Sequence, residues 1–353
     1  MKEEKKIEKI IKKLMEDLPE RYQFVLVRRY GLEGDSPFTL EAIGKDLGGV
    51  SRERVRQIKV KAQEKIKKNL KLIKPISEWA KNFLNFWGGV RKEEKFLKEA
   101  GLVFLKKEPT PLFFNQFKFI LELDEEIERK KETPFHFSYF YLPEKEKLFL
   151  KVIEFFKKKL KEINRPLSLK EYEALVKKAK NKFSLTEGII SSFLSTSKEF
   201  DFNFLGEFGL KSWNEISPRK ISEKIYLVFK KLNRPLHFQE ASSYLQKEYP
   251  FRSFKPTTVH NELIKNPQFV LVGRGIYALK EWGYQGGRLS EVLERIFKRE
   301  RRALTFDEIK EKVKKELIVK DSTILLNLSS SPFFEKTKDG RWRYRKPKKI
   351  FEA

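Results

Sequence analysis

The residues best suited to chemistry in this 353-residue chain are four hydrogen-bonding side chains in the short basic segment SRERVRQIKVKAQEKI, residues 51–66. At 100° per residue, Glu53, Arg56 and Gln57 lie opposite an apolar stripe and Arg52 flanks them. Arginine can bond guanine O6 and N7, glutamine can bond adenine, and glutamate can accept from cytosine N4. The segment predicts a helix that reads the major groove, although Glu and Arg at this spacing also form ordinary surface ion pairs.

Residues that most enzymatic chemistry needs are scarce. Cysteine is absent, which excludes disulfides, thiolate nucleophiles and cysteine-ligated metals. The three histidines, His136, His237 and His260, are far apart and are expected to be surface or packing residues. The glycine-rich phosphate-binding loop, the dinucleotide turn and the nucleophile elbow have no match. We read the acidic cluster at residues 122–126 as a solvated face, and expect a non-catalytic protein without metal, cofactor or small-molecule substrate.

The formal net charge of +27 indicates an anionic partner. The charge is unevenly placed, because residues 76–143 carry equal numbers of basic and acidic side chains while the segments on either side are net positive. A lysine-rich proteome would not leave one segment neutral. The N-terminus has no apolar signal-peptide core and no window resembles a membrane span, so we expect a cytoplasmic, nucleoid-associated protein that binds no membrane.

Residues 1–75 carry the start and stop signals of four helices. After an amphipathic first helix, the expected signals are Pro19 and Gly31 for the second, Thr39 and Leu47 for the third, and Ser51 and Pro75 for the fourth, which should end near Lys71. The apolar stripe of the fourth helix consists of Val55, Ile58, Ala62 and Ile66. A short helix, a glycine turn and a longer basic helix form the helix-turn-helix pattern.

The strings LPERYQFVLVRRYGL, TLEAIGKDL and SRERVRQIKVKAQEKI, within residues 18–70, resemble region 4 of bacterial sigma-70 family factors. In that family the last helix reads the promoter −35 element, and the module also sits on the flap of RNA polymerase. The resemblance implies DNA-facing or turn-supporting roles for Arg29, Thr39, Leu40, Glu41, Arg52, Glu53, Arg54, Arg56, Gln57 and Lys61. No segment resembles the aromatic-rich promoter-melting helices, so we expect no promoter opening by this protein alone.

Two features depart from the family pattern. The turn LGGV is one residue longer than the usual form and is expected to tilt the reading helix. Lys59 stands where the family often has an acid, which would add positive charge beside the groove.

The rest of the chain is repetitive. The strings NRPLSLKEYEALVKK, NRPLHFQEASSYLQKEY and RRALTFDEIKEKVKKEL share Arg165, Arg234 and Arg302, and each follows an apolar helix and precedes a second helix and a β-like tail. This order is that of a winged helix, with a fainter copy before it. We predict a mainly α protein in which a four-helix helix-turn-helix module is followed by tandem winged helices with small β-hairpin wings. The predicted domains are 1–75, 76–143, 144–217, 218–284 and 285–353.

The copy at residues 218–284 resembles the HARE-type helix-turn-helix domain through RPLHFQEASSYL, VHNELIKNPQFV and GRGIYALKEWGY. That winged helix occurs in the delta subunit of bacterial RNA polymerase and in chromatin and restriction proteins. The third helices of the repeats hold few cations and are expected to read DNA weakly. Candidate phosphate contacts in the wings are Arg274, Arg341, Arg343 and Arg345, although a basic end such as RWRYRKPKK is often only a solvated run.

The leading hypothesis is a sigma-factor-like transcription factor that binds promoter-like double-stranded DNA, the RNA polymerase core, or both. The tandem winged helices would extend either contact. The alternative is a delta-like, polymerase-associated subunit that does not read sequence, favoured by the neutral segment 76–143, which suits protein contact. A third hypothesis, the targeting half of a DNA-processing enzyme, has no catalytic constellation to support it in this sequence.

Overall fold

The computed structural model describes residues 2–345, with side chains from Lys6 onward. This part of the chain is mainly helical, with sixteen α-helices and ten short strands. It packs as two compact units, Met1–Phe202 with Glu207–Ser212, and Asn203–Gly206 with Trp213–Ala353. Within the described residues, no helix combines the length and apolar character needed to cross a bilayer.

The first four helices are α1 (Lys2–Met15), α2 (Glu20–Tyr30), α3 (Leu40–Asp46) and α4 (Arg52–Ile66). The predicted caps are confirmed, since Thr39 Oγ1 accepts from the Ala42 N–H at 3.1 Å and Ser51 Oγ accepts from the Arg54 N–H at 3.3 Å. The predicted end of α4 was wrong. The α-helix ends at Ile66, a 3₁₀ turn continues over Lys67–Leu72, and Pro75 lies in the first turn of the next helix, where it is tolerated.

The turn between α3 and α4 depends on three glycines. Gly48 and Gly49 have φ angles of 81° and 86°, which favour glycine. The Gly44 carbonyl accepts from the N–H groups of Gly49 at 3.0 Å and Val50 at 2.9 Å, so the turn folds back onto α3. A Cβ at Gly44 would lie 2.1 Å from the Val50 carbonyl oxygen. This contact requires glycine inside α3 and fixes how α4 leaves the turn.

The predicted apolar stripe of α4 is confirmed, because Val55, Ile58, Ala62 and Ile66 are all buried. Its N-terminal part packs with α2 and α3, where Val25, Ile43, Val55 and Ile58 form a small cluster. Its C-terminal part joins a larger core that also contains side chains of α1 and of later helices. The N-terminal part of α4 is therefore anchored on α2 and α3, and its C-terminal part is anchored in the larger core.

After α4 the same order of elements occurs twice in the first compact unit. The first set is α5 (Lys74–Phe86), β1 (Val90–Lys92), α6 (Glu93–Leu105), α7 (Pro111–Glu122), β2 (Glu128–Lys130) and β3 (Tyr139–Tyr141), with antiparallel strand order β1-β3-β2. The second set is α8 (Pro143–Ile163), α9 (Leu169–Phe183), α10 (Glu187–Thr196), β4 (Phe200–Phe202) and β5 (Phe208–Leu210). In this set a single bridge from Leu167 to Phe208 takes the place of the first strand.

The order occurs twice more in the second compact unit. The elements are α11 (Ile221–Leu232), β6 (Leu236–His237), α12 (Phe238–Glu248), α13 (Pro256–Lys265), β7 (Phe269–Gly273) and β8 (Ile276–Leu279), then α14 (Leu289–Glu300), α15 (Phe306–Glu316), α16 (Asp321–Ser330), β9 (Phe334–Lys336) and β10 (Trp342–Tyr344). The strand order of the first set is β6-β8-β7, and a bridge from Leu304 to Trp342 completes the second.

The repeated arginines make the same local contact in all three copies. Each binds the glutamate six residues later and donates to the carbonyl of the next residue. The pairs are Arg165–Glu171, Arg234–Glu240 and Arg302–Glu308. The residue before each arginine is left-handed, with φ between 48° and 55°. This clasp fixes the passage from one helix to the next and explains why arginine recurs there.

One hydrophobic core runs through α1, α4, α5, α6 and α7. It contains Ile11 of α1 and Ile66 of α4 together with Ala80, Phe96 and Phe117. The core is therefore continuous across residue 75, and the helix-turn-helix module packs directly against residues 76–143.

Candidate nucleic-acid interface

The polar face of α4 is open to solvent. Arg52, Glu53, Arg54, Arg56 and Gln57 are all exposed, and the side chains of Arg56 and Glu53 are 55% and 60% accessible. The opposite face of the same helix is buried. The structure therefore places these five predicted residues where a duplex can reach them.

The exposed side chains pair with one another. Arg56 Nε and Nη2 donate to Glu53 at 2.9 and 2.8 Å, and Arg54 Nη1 donates to Gln57 Oε1 at 3.2 Å. Hydrogen bonding from Arg56 lowers the pKa of Glu53, which therefore stays ionised near neutral pH. The surface ion pair is therefore present, and the face that carries it remains accessible to solvent. Exposed pairs at this spacing contribute little stability, so base edges can replace them at low cost.

Sequence reasoning missed one residue on this face. Val60 lies one turn beyond Arg56, among the polar residues, and 37% of it is exposed. A valine there offers methyl groups, the chemistry that contacts the methyl of thymine. Helical spacing alone places Val60 on the same side as Glu53 and Arg56, so the residue could have been predicted from the sequence.

Four of the residues that the resemblance implied lie around α2 and α3. Arg29 Nη1 donates to the Phe38 carbonyl at 2.8 Å, so Arg29 secures the chain just before the cap of α3. Leu40 is half-buried in the cluster around Ile43. Thr39 caps α3 and remains exposed, as does Glu41. Arg29 and Leu40 thus support the turn, whereas Thr39 and Glu41 lie exposed at the N-terminus of α3.

The last of these residues, Lys61, is exposed on α4, whereas its neighbour Lys59 is engaged. Lys59 Nζ lies 2.8 Å from Glu122 Oε1 of α7, and its side chain is 20% accessible. The Tyr30 hydroxyl donates to the same oxygen at 2.7 Å, and Gln63 Nε2 donates to Tyr30 at 3.0 Å. Lys59 was expected to add positive charge beside the groove, and the structure pairs that charge with Glu122. Glu122 lies so far along the chain that no local sequence pattern indicates it as the partner of Lys59.

Burial alone would raise the pKa of Glu122, but hydrogen bonds from Lys59, Tyr30 and Gln63 outweigh it and hold that pKa below its ordinary value. Burial, reinforced by the Glu122 carboxylate, raises the pKa of Tyr30. At neutral pH Glu122 is therefore a carboxylate, held by Lys59, Tyr30 and Gln63.

The acidic cluster at residues 122–126 forms ion pairs with lysines of other elements and is not only a solvated face. Glu125 pairs with Lys67, while Asp124 and Glu126 lie 3.4 and 2.9 Å from Lys81 Nζ. In the described part of the chain, no three His, Asp or Glu side chains are grouped so that they could hold a metal ion. These acids instead join α7 and the loop after it to cations of the preceding helices.

The third helix of the second repeat, α10, is packed within the protein. It lies against β1, where Arg91 Nη1 donates to Ser192 Oγ at 2.9 Å, and Arg91 itself is only 5% accessible. The guanidinium stacks 3.6 Å from the centre of the Trp87 ring. Phe193 is buried, and the Phe137 N–H donates to the Thr196 carbonyl at 3.0 Å. The face of α10 that meets β1 is therefore closed to a duplex.

The four candidate wing arginines lie in the second compact unit. Arg274 is exposed at the turn between β7 and β8. Arg341 lies 3.3 Å from Asp339, and Arg343 and Arg345 both pair with Glu335. All four are solvent-accessible. The remaining cations of the run RWRYRKPKK, residues 346–349, lie outside the described residues.

The aromatic residues near these wings are occupied in packing. Trp342 is buried in the core of the last repeat, so it is unavailable for stacking on bases. The Tyr344 hydroxyl donates to Glu294 at 2.8 Å. Trp282 packs beside Phe229 against the core of its repeat.

Comparison with known proteins supports the first module alone. Residues 14–68 match the family described as Sigma-70, region 4. The RNA polymerase sigma factor RpoS of Coxiella burnetii (strain RSA 493 / Nine Mile phase I) is 39% identical over 62 residues, which are 18% of this chain and 17% of that protein. No solved structure is a significant match. The matched residues run from the end of α1 to just past α4, and they support a transcription-related, DNA-binding helix-turn-helix.

Proposed function

We propose that this protein is a non-catalytic, sigma-factor-like transcription factor that binds promoter-like DNA, the RNA polymerase core, or both through α3 and α4. One observation carries the proposal. The helix that ends the region 4 match buries its apolar stripe and exposes Arg52, Glu53, Arg56 and Gln57 on the other side. The proposal places the protein in the cytoplasm, on the nucleoid.

We also infer that the four repeated sets of elements are winged helices and that residues 218–284 are of HARE type. Their order of helix, strand or bridge, two helices and hairpin supports this inference. These repeats would extend the contact along DNA or over the polymerase. Because one face of α10 is packed on β1, α13 and α16 are better placed than α10 to make such contacts.

A delta-like, polymerase-associated subunit without sequence reading is the second candidate. The observation that favours it is the surface of α16, a helix without lysine or arginine on which Leu325 and Leu326 are exposed. Such a surface lacks the phosphate attraction that dominates nucleic-acid affinity. It predicts co-purification with polymerase and equal affinity for unrelated duplexes.

Selection of bound sequences from random duplexes, followed by fluorescence anisotropy across a salt series, tests the proposal. The decisive variant is Arg56→Ala. Loss of a bidentate contact to a base should weaken binding to the selected duplex by about 1–3 kcal/mol and relax the preference at one base pair. Arg21→Ala, which removes an exposed arginine from α2, is the matched control.

Two results would overturn the DNA-binding part of the proposal. One is the absence of any binding at low salt. The other is an Arg56→Ala variant that binds the selected duplex as tightly as the wild type does. If the selection returns no preferred sequence while polymerase co-purifies with the protein, the delta-like candidate replaces it.

A further inference from the structure

One side of α4 carries two exposed side chains, followed by two that are bonded to residues of other helices. Arg52, Arg56, Lys59 and Gln63 are spaced at i, i+4, i+7 and i+11, so they lie along one side of the helix. The first two side chains are exposed. The last two are held by Tyr30 and Glu122.

Glu122 is well placed to hold this side of α4. It is the last residue of α7, which is anchored in the core by buried Phe119 and Ile120. The Phe119 ring also packs 4.9 Å from the ring of Tyr30. Glu122 therefore brings a carboxylate from a rigid element to three donors on α2 and α4, and 48% of its side chain remains accessible.

We propose that Glu122 is a positioning residue that withholds Lys59 from the DNA backbone and so limits how many phosphates α4 neutralises. This inference rests on the proposed function, because it assigns a regulating contact to the same reading helix. Glu122 belongs to residues 76–143, which carry no net charge. This segment therefore acts on α4 through the contact of Glu122, although α4 lies outside the segment.

The physical basis is the division between phosphate and base contacts. Each lysine–phosphate contact strengthens binding to every sequence and steepens the fall of log K with log salt by about 0.9. Base contacts, by contrast, set discrimination. In a chain with a net charge of +27, withholding one lysine weakens attachment to bulk DNA and leaves the base contacts of Arg56 and Gln57 in place.

Salt dependence of binding to one duplex measures the effect. Glu122→Ala should steepen the slope of log K against log salt by about 0.9, because Lys59 gains a phosphate. Lys59→Gln alone should leave the wild-type slope unchanged, and the double variant should return to it. Glu126→Ala, which removes an acid paired with Lys81 instead, is the control for a general change in charge. Circular dichroism confirms that each variant is folded.

Amine acetylation followed by mass spectrometry gives a readout that needs no DNA. Lys59 should react slowly in the wild type and several-fold faster in Glu122→Ala, whereas Glu126→Ala should change the reactivity of Lys81 only. Equal reactivity of Lys59 in the wild type and in Glu122→Ala would overturn the inference.

Two results of the binding experiment would contradict the inference. A Lys59→Gln variant whose slope falls by about 0.9 would show that Lys59 reaches a phosphate in the wild-type complex. An unchanged slope in Glu122→Ala would show that the freed lysine does not. If the wild type binds no DNA, the proposed function fails, while the acetylation result still decides whether Glu122 restrains Lys59.

Discussion

Gly44→Ala tests whether the turn between α3 and α4 sets the position of the reading helix. The added Cβ would lie 2.1 Å from the Val50 carbonyl oxygen, so the backbone must move by about 1 Å to reach even 3.0 Å. That movement strains the two hydrogen bonds that the Gly44 carbonyl accepts from Gly49 and Val50. The substitution therefore acts on the geometry of the turn and not only on local helix propensity.

The expected size of the effect follows from three contributions. Losing two turn hydrogen bonds costs about 2 kcal/mol. Backbone strain adds about 1 kcal/mol. Replacing glycine by alanine in a helix returns about 1 kcal/mol. We therefore expect Gly44→Ala to lower the free energy of unfolding by about 2 kcal/mol.

Gly188→Ala is the matched control. Gly188 lies in the first turn of α10, also in the first compact unit, and its added Cβ would make only ordinary contacts, at 3.7 Å from Trp87 and 3.9 Å from Thr186 Oγ1. This variant should be at least as stable as the wild type, because replacing glycine by alanine gains up to about 1 kcal/mol in a helix interior and less in the first turn. Urea unfolding followed by circular dichroism measures both changes. A Gly44→Ala protein that is as stable as the wild type would refute the reasoning.

Two further predictions concern ion pairs. Hydrogen bonds from Arg165, then from Ser168, lower the pKa of Glu171 to about 2, so the stability that this carboxylate contributes should be present above its ordinary pKa of 4.5 and be lost as the pH falls toward 2. Arg165→Gln should reduce the drop in urea midpoint between about pH 5 and pH 3. Arg91→Ala should cost about 3 kcal/mol in urea unfolding, because it leaves Glu99 and Ser192 without a buried partner, and a change below about 1 kcal/mol would contradict this.

The parts of the fold that were predictable from sequence depend on local chemistry. The period of Val55 and Ile58 fixed the buried side of α4, and the hydroxyl side chains of Thr39 and Ser51 marked two helix starts. Capping boxes at Ser168 and Thr305 were likewise readable, because both partners lie within one turn.

The parts that were missed depend on distant or non-helical partners. Pro75 does not mark the end of α4, because proline is also accepted in the first turn of a helix and here begins α5. The repeated arginines were visible, but their pairing with glutamates six residues later crosses an extended segment that no helical spacing describes. Glu122 lies 63 residues from Lys59, and no periodic pattern connects positions that far apart.

The surroundings of α4 also constrain the proposed polymerase contact. Its apolar stripe is buried, its Lys59 side is held by α7, and its exposed side carries the residues suited to bases. The apolar side chains of α1 that face the module, such as Ile11 and Leu14, are covered by the shared core. A polymerase surface that needs these apolar side chains of α1 would therefore have to displace α6 or α7. The proposed polymerase contact is therefore better made through exposed polar residues of the module or through a later repeat. In that arrangement DNA and polymerase would not compete for α4.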